Sequence, residues 1–119
     1  MTKTTLLHEA EIELWEAVAY YESRATGLGL DFLSEIEESV HAIAEAPDRW
    51  PLLQDGTRRR LTHRFPYVVV YVRLPDHIWI IAFAHCKRRP QFWSGRIKKA
   101  EQQGGENSQP AARSSKPTP

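Results

Sequence analysis

From Glu9 to about Arg24 the apolar residues Leu14, Trp15, Val18, Tyr21 and Ala25 recur in the three-and-four rhythm of a helix with one buried stripe. Gly27 and Gly29 in the stretch TGLG are expected to end it, because glycine supplies the left-handed backbone of a helix stop. A second helix follows at once. Leu33, Ile36, Val40 and Ile43 set its buried stripe, Glu35, Glu37, Glu38 and Glu45 lie outside it, and Pro47 closes it. So short a connection predicts an antiparallel helical hairpin.

After the loop WPLLQDG at 50–56 the period changes from helix to strand. Arg60–Phe65 alternates weakly, and Tyr67–Arg73 (YVVVYVR) is rich in β-branched and aromatic residues. LPDH at 74–77 reads as a four-residue turn, and Ile78–Ala84 as the returning strand of an antiparallel hairpin. Residues 2–7 (TKTTLL) can add a strand of unknown register. The order predicts an α+β fold: an N-terminal strand, a helical hairpin, then three strands in an antiparallel meander against which the hairpin packs. The folded domain is expected over residues 1–99. Residues 100–119 lack large apolar side chains and are rich in Gly, Ser and Pro, which predicts a disordered tail.

At 119 residues, with 41% hydrophobic and 26% charged, the chain suits one domain with one core. No apolar run reaches the roughly 18 residues of a membrane helix, and the first residues turn acidic before a signal-peptide core can form, so the cytoplasm is the expected location. Cys86 is the single cysteine and has no paired Cys/His spacing around it; His8, His41, His63 and His77 are scattered. No metal and no cofactor are expected. Net charge is +1, but its distribution changes the picture. Residues 1–48 carry 11 acidic against 2 basic residues (−9), residues 49–99 carry 12 basic against 2 acidic (+10), and the last twenty carry two of each. Such asymmetry points to a basic surface that meets an anion or an acidic partner.

The segments AEIELWEAVAYYE at 10–22, LGLDFLSEI at 28–36, RRRLTHRFPYVVVY at 58–71 and IWIIAFAHCKRRPQFW at 78–93 together resemble toxins of the RelE/ParE superfamily, nearest its ParE-like, plasmid-stabilisation branch. The specific parts are the FPY that leads a β-rich strand and the ending His85, Arg88, Pro90, Phe92, Trp93. The resemblance implies the same fold as the pattern above, and a growth-inhibiting toxin neutralised by a cognate antitoxin with which it forms a hetero-oligomer. ParE-like members inhibit DNA gyrase; RelE-like members cut messenger RNA on the ribosome. A toxin that has lost activity and persists as an antitoxin-binding module is a third outcome.

Two basic clusters are candidates for target contact: Arg58, Arg59, Arg60 and Arg64 before the main strand, and Lys87, Arg88, Arg89, Arg96, Lys98 and Lys99 after the last. Guanidinium forks suit phosphate or carboxylate, although exposed cations also simply blunt strand edges. Trp93 and Phe92 can stack on bases, but folding back over the sheet end is the favoured reading because tryptophan buries a large area. For a ribonuclease the candidates are His85, Arg60 and Arg88; His85 equally reads as a hydrogen-bonded residue fixing the turn after the strand. Ribonuclease members commonly carry a catalytic tyrosine, histidine or lysine near the chain end, where this chain has Phe92 and Trp93. That departure favours target binding over catalysis. Tyr67 and Tyr71 are expected to face the core with satisfied hydroxyls. Antitoxin contacts are expected at Leu14, Trp15 and Val18 if the apolar stripe is wider than the sheet can cover.

Overall fold

A computed structural model describes residues 2–105. It holds β1 (Thr4–Leu6), α1 (His8–Arg24), α2 (Leu28–Glu45), β2 (Arg58–Leu61), β3 (Tyr67–Leu74), β4 (His77–His85), a single 3-10 turn over Pro90–Trp93, and α3 (Ser94–Gly105). The four strands form one mixed sheet in the order β1-β4-β3-β2: the last three make the antiparallel meander, and β1 lies parallel to β4. The α+β class and the helical hairpin are as expected.

The buried stripe of α1 is Ala10, Leu14 and Ala17, with Val18 and Tyr21 partly buried, while Trp15 is 51% exposed. Through this stripe α1 packs on both α2 and β4. In α2 the stripe is Gly29, Phe32, Ile36, Ser39 and Ile43. Gly27, at φ 88°, adopts the left-handed conformation expected of a stop and stands just before α2. Gly29 has another role. It lies inside α2, where an added Cβ would sit 2.7 Å from the Val18 carbonyl oxygen of α1. The Glu22 carboxylate, at the end of α1, accepts the N–H groups of Gly27 (2.9 Å) and Gly29 (3.0 Å), so one helix caps the next.

Cross-strand pairing sorts the side chains by face. Tyr67, Val69 and Tyr71 of β3, opposite His85, Phe83 and Ile80 of β4, look toward the hairpin. There Tyr67, Phe32, Phe65 and Tyr21 pack ring against ring at 4.8–6.2 Å between centroids, contacts that each add about 0.5–1.5 kcal/mol beyond burial. Tyr71 is fully buried and donates its hydroxyl to the Pro47 carbonyl at 2.6 Å; burial pushes its pKa up to about 12. Ile81 has no partner in β3, since Val70 pairs with Ala82 and Tyr71 with Ile80, which makes a β-bulge in mid-strand. The turn falls at 74–77 as expected: Leu74 and His77 pair, and Pro75 and Asp76 are its two central residues.

The sheet's other face corrects the two-layer expectation. Trp93 (2% exposed) and Ala100 (0%) join the core, with Ile97 packed against it, and α3 lies over β3 and β4. Residues 100–105 are therefore helical, where the composition predicted a tail; residues 106–119 lie outside the described residues. Hydropathy hides α3 because polar side chains, described below, hold it in place. The folded domain thus extends past Lys99.

The close approach at Gly29 gives a sign test. Gly29→Ala should cost about 2 kcal/mol, since the atom it meets is backbone and cannot swing away, whereas Gly95→Ala in α3, with open space around it, should stabilise by about 0.5 kcal/mol. Urea denaturation of both variants checks the pair.

Candidate functional site

Strand alternation divides the first arginine cluster. Arg58 and Arg60 pair with Tyr71 and Val69, so they lie on the hairpin face, and Arg59, opposite Val70, lies on the face of α3. Arg58 donates to the Trp50 carbonyl (2.6 Å) and meets Asp48 (3.5 Å), which Arg73 also reaches (3.3 Å); Arg60 stacks over the Trp50 ring. Arg59 bonds Asp55 (3.0 Å) and stacks on Trp93, whose indole N–H lies 3.4 Å from the same carboxylate. Arg64 pairs with Asp31 of α2 (3.2 Å), and the Glu35 carboxylate receives the backbone N–H groups of His63 and Arg64, pinning this loop to α2. The four arginines do not form one surface. Burial also removes Trp93 from the candidate contact residues: it covers the sheet, as its area favoured.

Burial works against ionisation of Asp55, but the Thr57 hydroxyl (2.6 Å) and N–H, the Trp93 indole and Arg59 outweigh it and hold its pKa below the ordinary 3.8. A depressed carboxyl pKa stabilises the fold above the unfolded value and loses that contribution as pH falls through the folded value. Asp55→Asn should therefore cost about 1–2 kcal/mol at pH 7, and its deficit against the wild type should shrink as pH drops below 3.8 in urea-melt comparisons.

The second cluster behaves differently. Lys87, Arg88 and Arg89 are exposed on the turn that leaves β4, and His85 and Arg88 share a polar pocket of about 160 Å³ with Glu13, Glu16, Tyr20 and Tyr67. Of the three ribonuclease candidates, Arg60 is absent from this pocket. The His85 Nδ1 accepts the Lys87 N–H at 3.1 Å, and its carbonyl accepts the Arg88 N–H at 2.9 Å, so His85 does fix the turn. The backbone thus engages Nδ1 and leaves Nε2 as the ring nitrogen open to other contacts. Burial raises the pKa of Tyr67, which its neighbours Tyr21, Tyr20 and Glu13 raise further against the opposing effect of Arg88.

Glu13, omitted from the sequence candidates, organises this region. One carboxylate oxygen lies 3.2 Å from the Phe83 N–H and both meet the Arg96 guanidinium at 2.9 Å; Arg88 stands 3.8 Å away. Arg96 also donates to the Ile81 carbonyl at the bulge (2.9 Å), and Lys99 pairs with Glu9 one turn along α1. Only the crossing of α1, β4 and α3 reveals this, since the two partners are 83 residues apart. Both side chains are mostly buried, at 11% and 17% exposed. Glu13→Ala and Arg96→Ala should each cost about 3 kcal/mol, and the double variant clearly less than the sum, in a denaturation-based double-mutant cycle.

The antitoxin candidates take three positions. Leu14 is buried, Val18 half-buried and Trp15 exposed, and Leu14 and Trp15 line an apolar groove of about 610 Å³ between the two hairpin helices and β1. Trp15 also lies with Ile12 and Ala19 on the outer face of α1. Among the described residues no cluster of His, Cys, Asp and Glu could hold a metal ion, and no helix is long and apolar enough to cross a membrane.

Against known proteins, no protein-family model matches the chain, and no curated protein does. A chain of a solved structure described as "Chromosomal ParDE TA system from P. aeruginosa" superimposes with a TM-score of 0.63 over 73% of this chain and 98% of its own, at 17% identity. The two share a fold. At that identity the likeness concerns architecture, and the α+β arrangement read from the sequence is the part it supports.

Proposed function

We propose that this chain is the toxin of a type II toxin–antitoxin pair, ParE-like, which acts by binding a cytoplasmic target, DNA gyrase, and is neutralised by a cognate antitoxin laid over the helical hairpin. The shared fold with a ParDE toxin–antitoxin chain supports the class. The observation that carries binding over cleavage is the state of the His85 pocket. Cutting RNA through its 2′-hydroxyl needs a base, a cation and an acid. Arg88 supplies the cation, but the Nδ1 of His85 is taken up by the Lys87 N–H, burial raises the Tyr67 pKa, and Glu13 is ion-paired with Arg96, so Glu16 is the remaining carboxylate of the pocket. A binding surface needs no base. The exposed Lys87, Arg88 and Arg89 are its proposed target contacts, with Arg58, Arg59, Arg60 and Arg64 contributing only their outward portions.

The purified chain should inhibit gyrase supercoiling of relaxed plasmid, with Arg88→Ala weakening the effect about tenfold; supercoiling that proceeds normally at saturating protein rejects gyrase as target. The ribosome-dependent endoribonuclease is the second reading, favoured by the meeting of His85 and Arg88 in one pocket beside Glu16. Primer extension on translated messenger RNA separates them, because codon-phased cuts lost in His85→Ala belong to the nuclease alone. Growth unaffected by induction without antitoxin leaves an inactive antitoxin-binding module.

A further inference from the structure

Carboxylates do not answer every arginine on the hairpin face of the sheet. Arg58 and Arg60 stand two residues apart on β2, and Arg73 follows Tyr71, the partner of Arg58, by two residues on β3, so all three side chains leave the same face. Arg58 and Arg73 share Asp48, which stays 67% exposed. Arg49 and Arg60 lie over the Trp50 ring, 5.4 and 5.0 Å from its centre. Among the described residues neither of these two meets a carboxylate, and the buried Nε atoms of Arg58 and Arg60 donate to nothing. Four guanidinium groups thus stand around one carboxylate, a balance of +3.

Arg58 and Arg73 are only 17% and 24% exposed, and like charges gathered at so sheltered a place repel one another unless an anion joins them. Stacking on Trp50 offsets part of this repulsion and leaves the outer N–H groups free. Guanidinium forks suit phosphate oxygens, and residues two apart on a strand stand about 6.6 Å apart, so Arg58 and Arg60 can meet successive phosphates. Trp50 decides the kind of nucleic acid. A single strand binds by stacking its bases on open aromatic faces, but here two guanidinium groups already lie over the ring. A duplex keeps its bases stacked inside and presents its phosphates.

From this arrangement we propose that Arg49, Arg58, Arg60 and Arg73, gathered around Trp50, bind the phosphate backbone of duplex DNA without regard to its sequence. Asp48 restrains the affinity, because it neutralises part of the charge that the phosphates meet. The contact goes beyond the target reading and does not need gyrase: the chain holds DNA by itself, weakly and with a steep dependence on salt.

The test uses the full chain and a short fluorescein-labelled duplex of mixed sequence, with binding read by fluorescence anisotropy between about 50 and about 200 mM salt. With the net charge of the patch engaged, log Kd should rise with log salt at a slope of about 3. Arg49→Gln and Arg60→Gln should each weaken binding about tenfold at the lowest salt and lower that slope by about 1, whereas Arg60→Lys should keep most of it. Asp48→Asn should do the opposite and tighten binding about fivefold to tenfold, a gain that a damaged fold does not give. A duplex that stays free at the lowest salt overturns the proposal. So does a slope unchanged in Arg49→Gln and Arg60→Gln while Lys87→Gln combined with Arg89→Gln abolishes binding, because the contact then lies on the turn after β4. Tighter binding of the matching single strand, or displacement of the duplex by polyglutamate at equal charge, overturns it as well, since the site then takes bases or an acidic protein segment.

Discussion

The edge of β4 beyond Ile80 is the constraint on which the layers depend. β4 has nine residues and β1 only three, so past Ile80 the Ile81 carbonyl and the Phe83 N–H face outward at a place covered by helices on both sides. A buried chain group without a partner costs about 1–3 kcal/mol. Glu13 of α1 answers the N–H, Arg96 of α3 answers the carbonyl, and the two answer each other. The position of α1 on one face and of α3 on the other is therefore fixed by one strand edge. The bulge at Ile81 belongs to the same solution, because it offers the carbonyl that Arg96 meets.

What could be read from the chain follows from which forces are periodic. The meander and the hairpin announce themselves because burial on one face repeats every two residues or every three to four. Trp15 is the largest apolar residue of α1 yet stays half exposed, while the small Ala10 and Ala17 are buried. Gly29 reads in the sequence as punctuation, but what it permits is an approach between helices whose partner atom, the Val18 carbonyl, has no signature in sequence. The helix α3 stayed hidden for a related reason. Ile97 and Ala100 are a thin apolar stripe, and the ion pairs to Glu9 and Glu13 that hold it come from the far end of the chain.

The arginine run at 58–60 shows how a strand undoes an inference from clustering. Adjacent residues on a helix or loop can share a surface, but on β2 they alternate, and each face presented a ready partner: Trp50 and Asp48 on one, Asp55 and Trp93 on the other. The alternation was legible in principle once a strand was placed over these residues. The expected strand, however, began two residues later than Arg58, which blurred which arginines share a face.

The opposite charges of the two halves have a similar resolution. Arg58, Arg64, Arg73, Arg88, Arg96 and Lys99 of the basic half all meet Asp31, Asp48, Glu9 or Glu13 of the acidic half. Part of the asymmetry is thus spent inside the molecule, although unequally in energy. Arg64 and Asp31 are both more than half exposed, and such a pair contributes about 0–1 kcal/mol, whereas the mostly buried Glu13 and Arg96 couple far more strongly. Subtracting these pairs sharpens the functional signal. The acid left around the groove is Glu11, Glu16 and Glu37, while Lys87 and Arg89 remain on the turn after β4. Two surfaces of opposite sign therefore survive the internal pairing, an acidic one beside the hairpin groove and a basic one on the turn after β4.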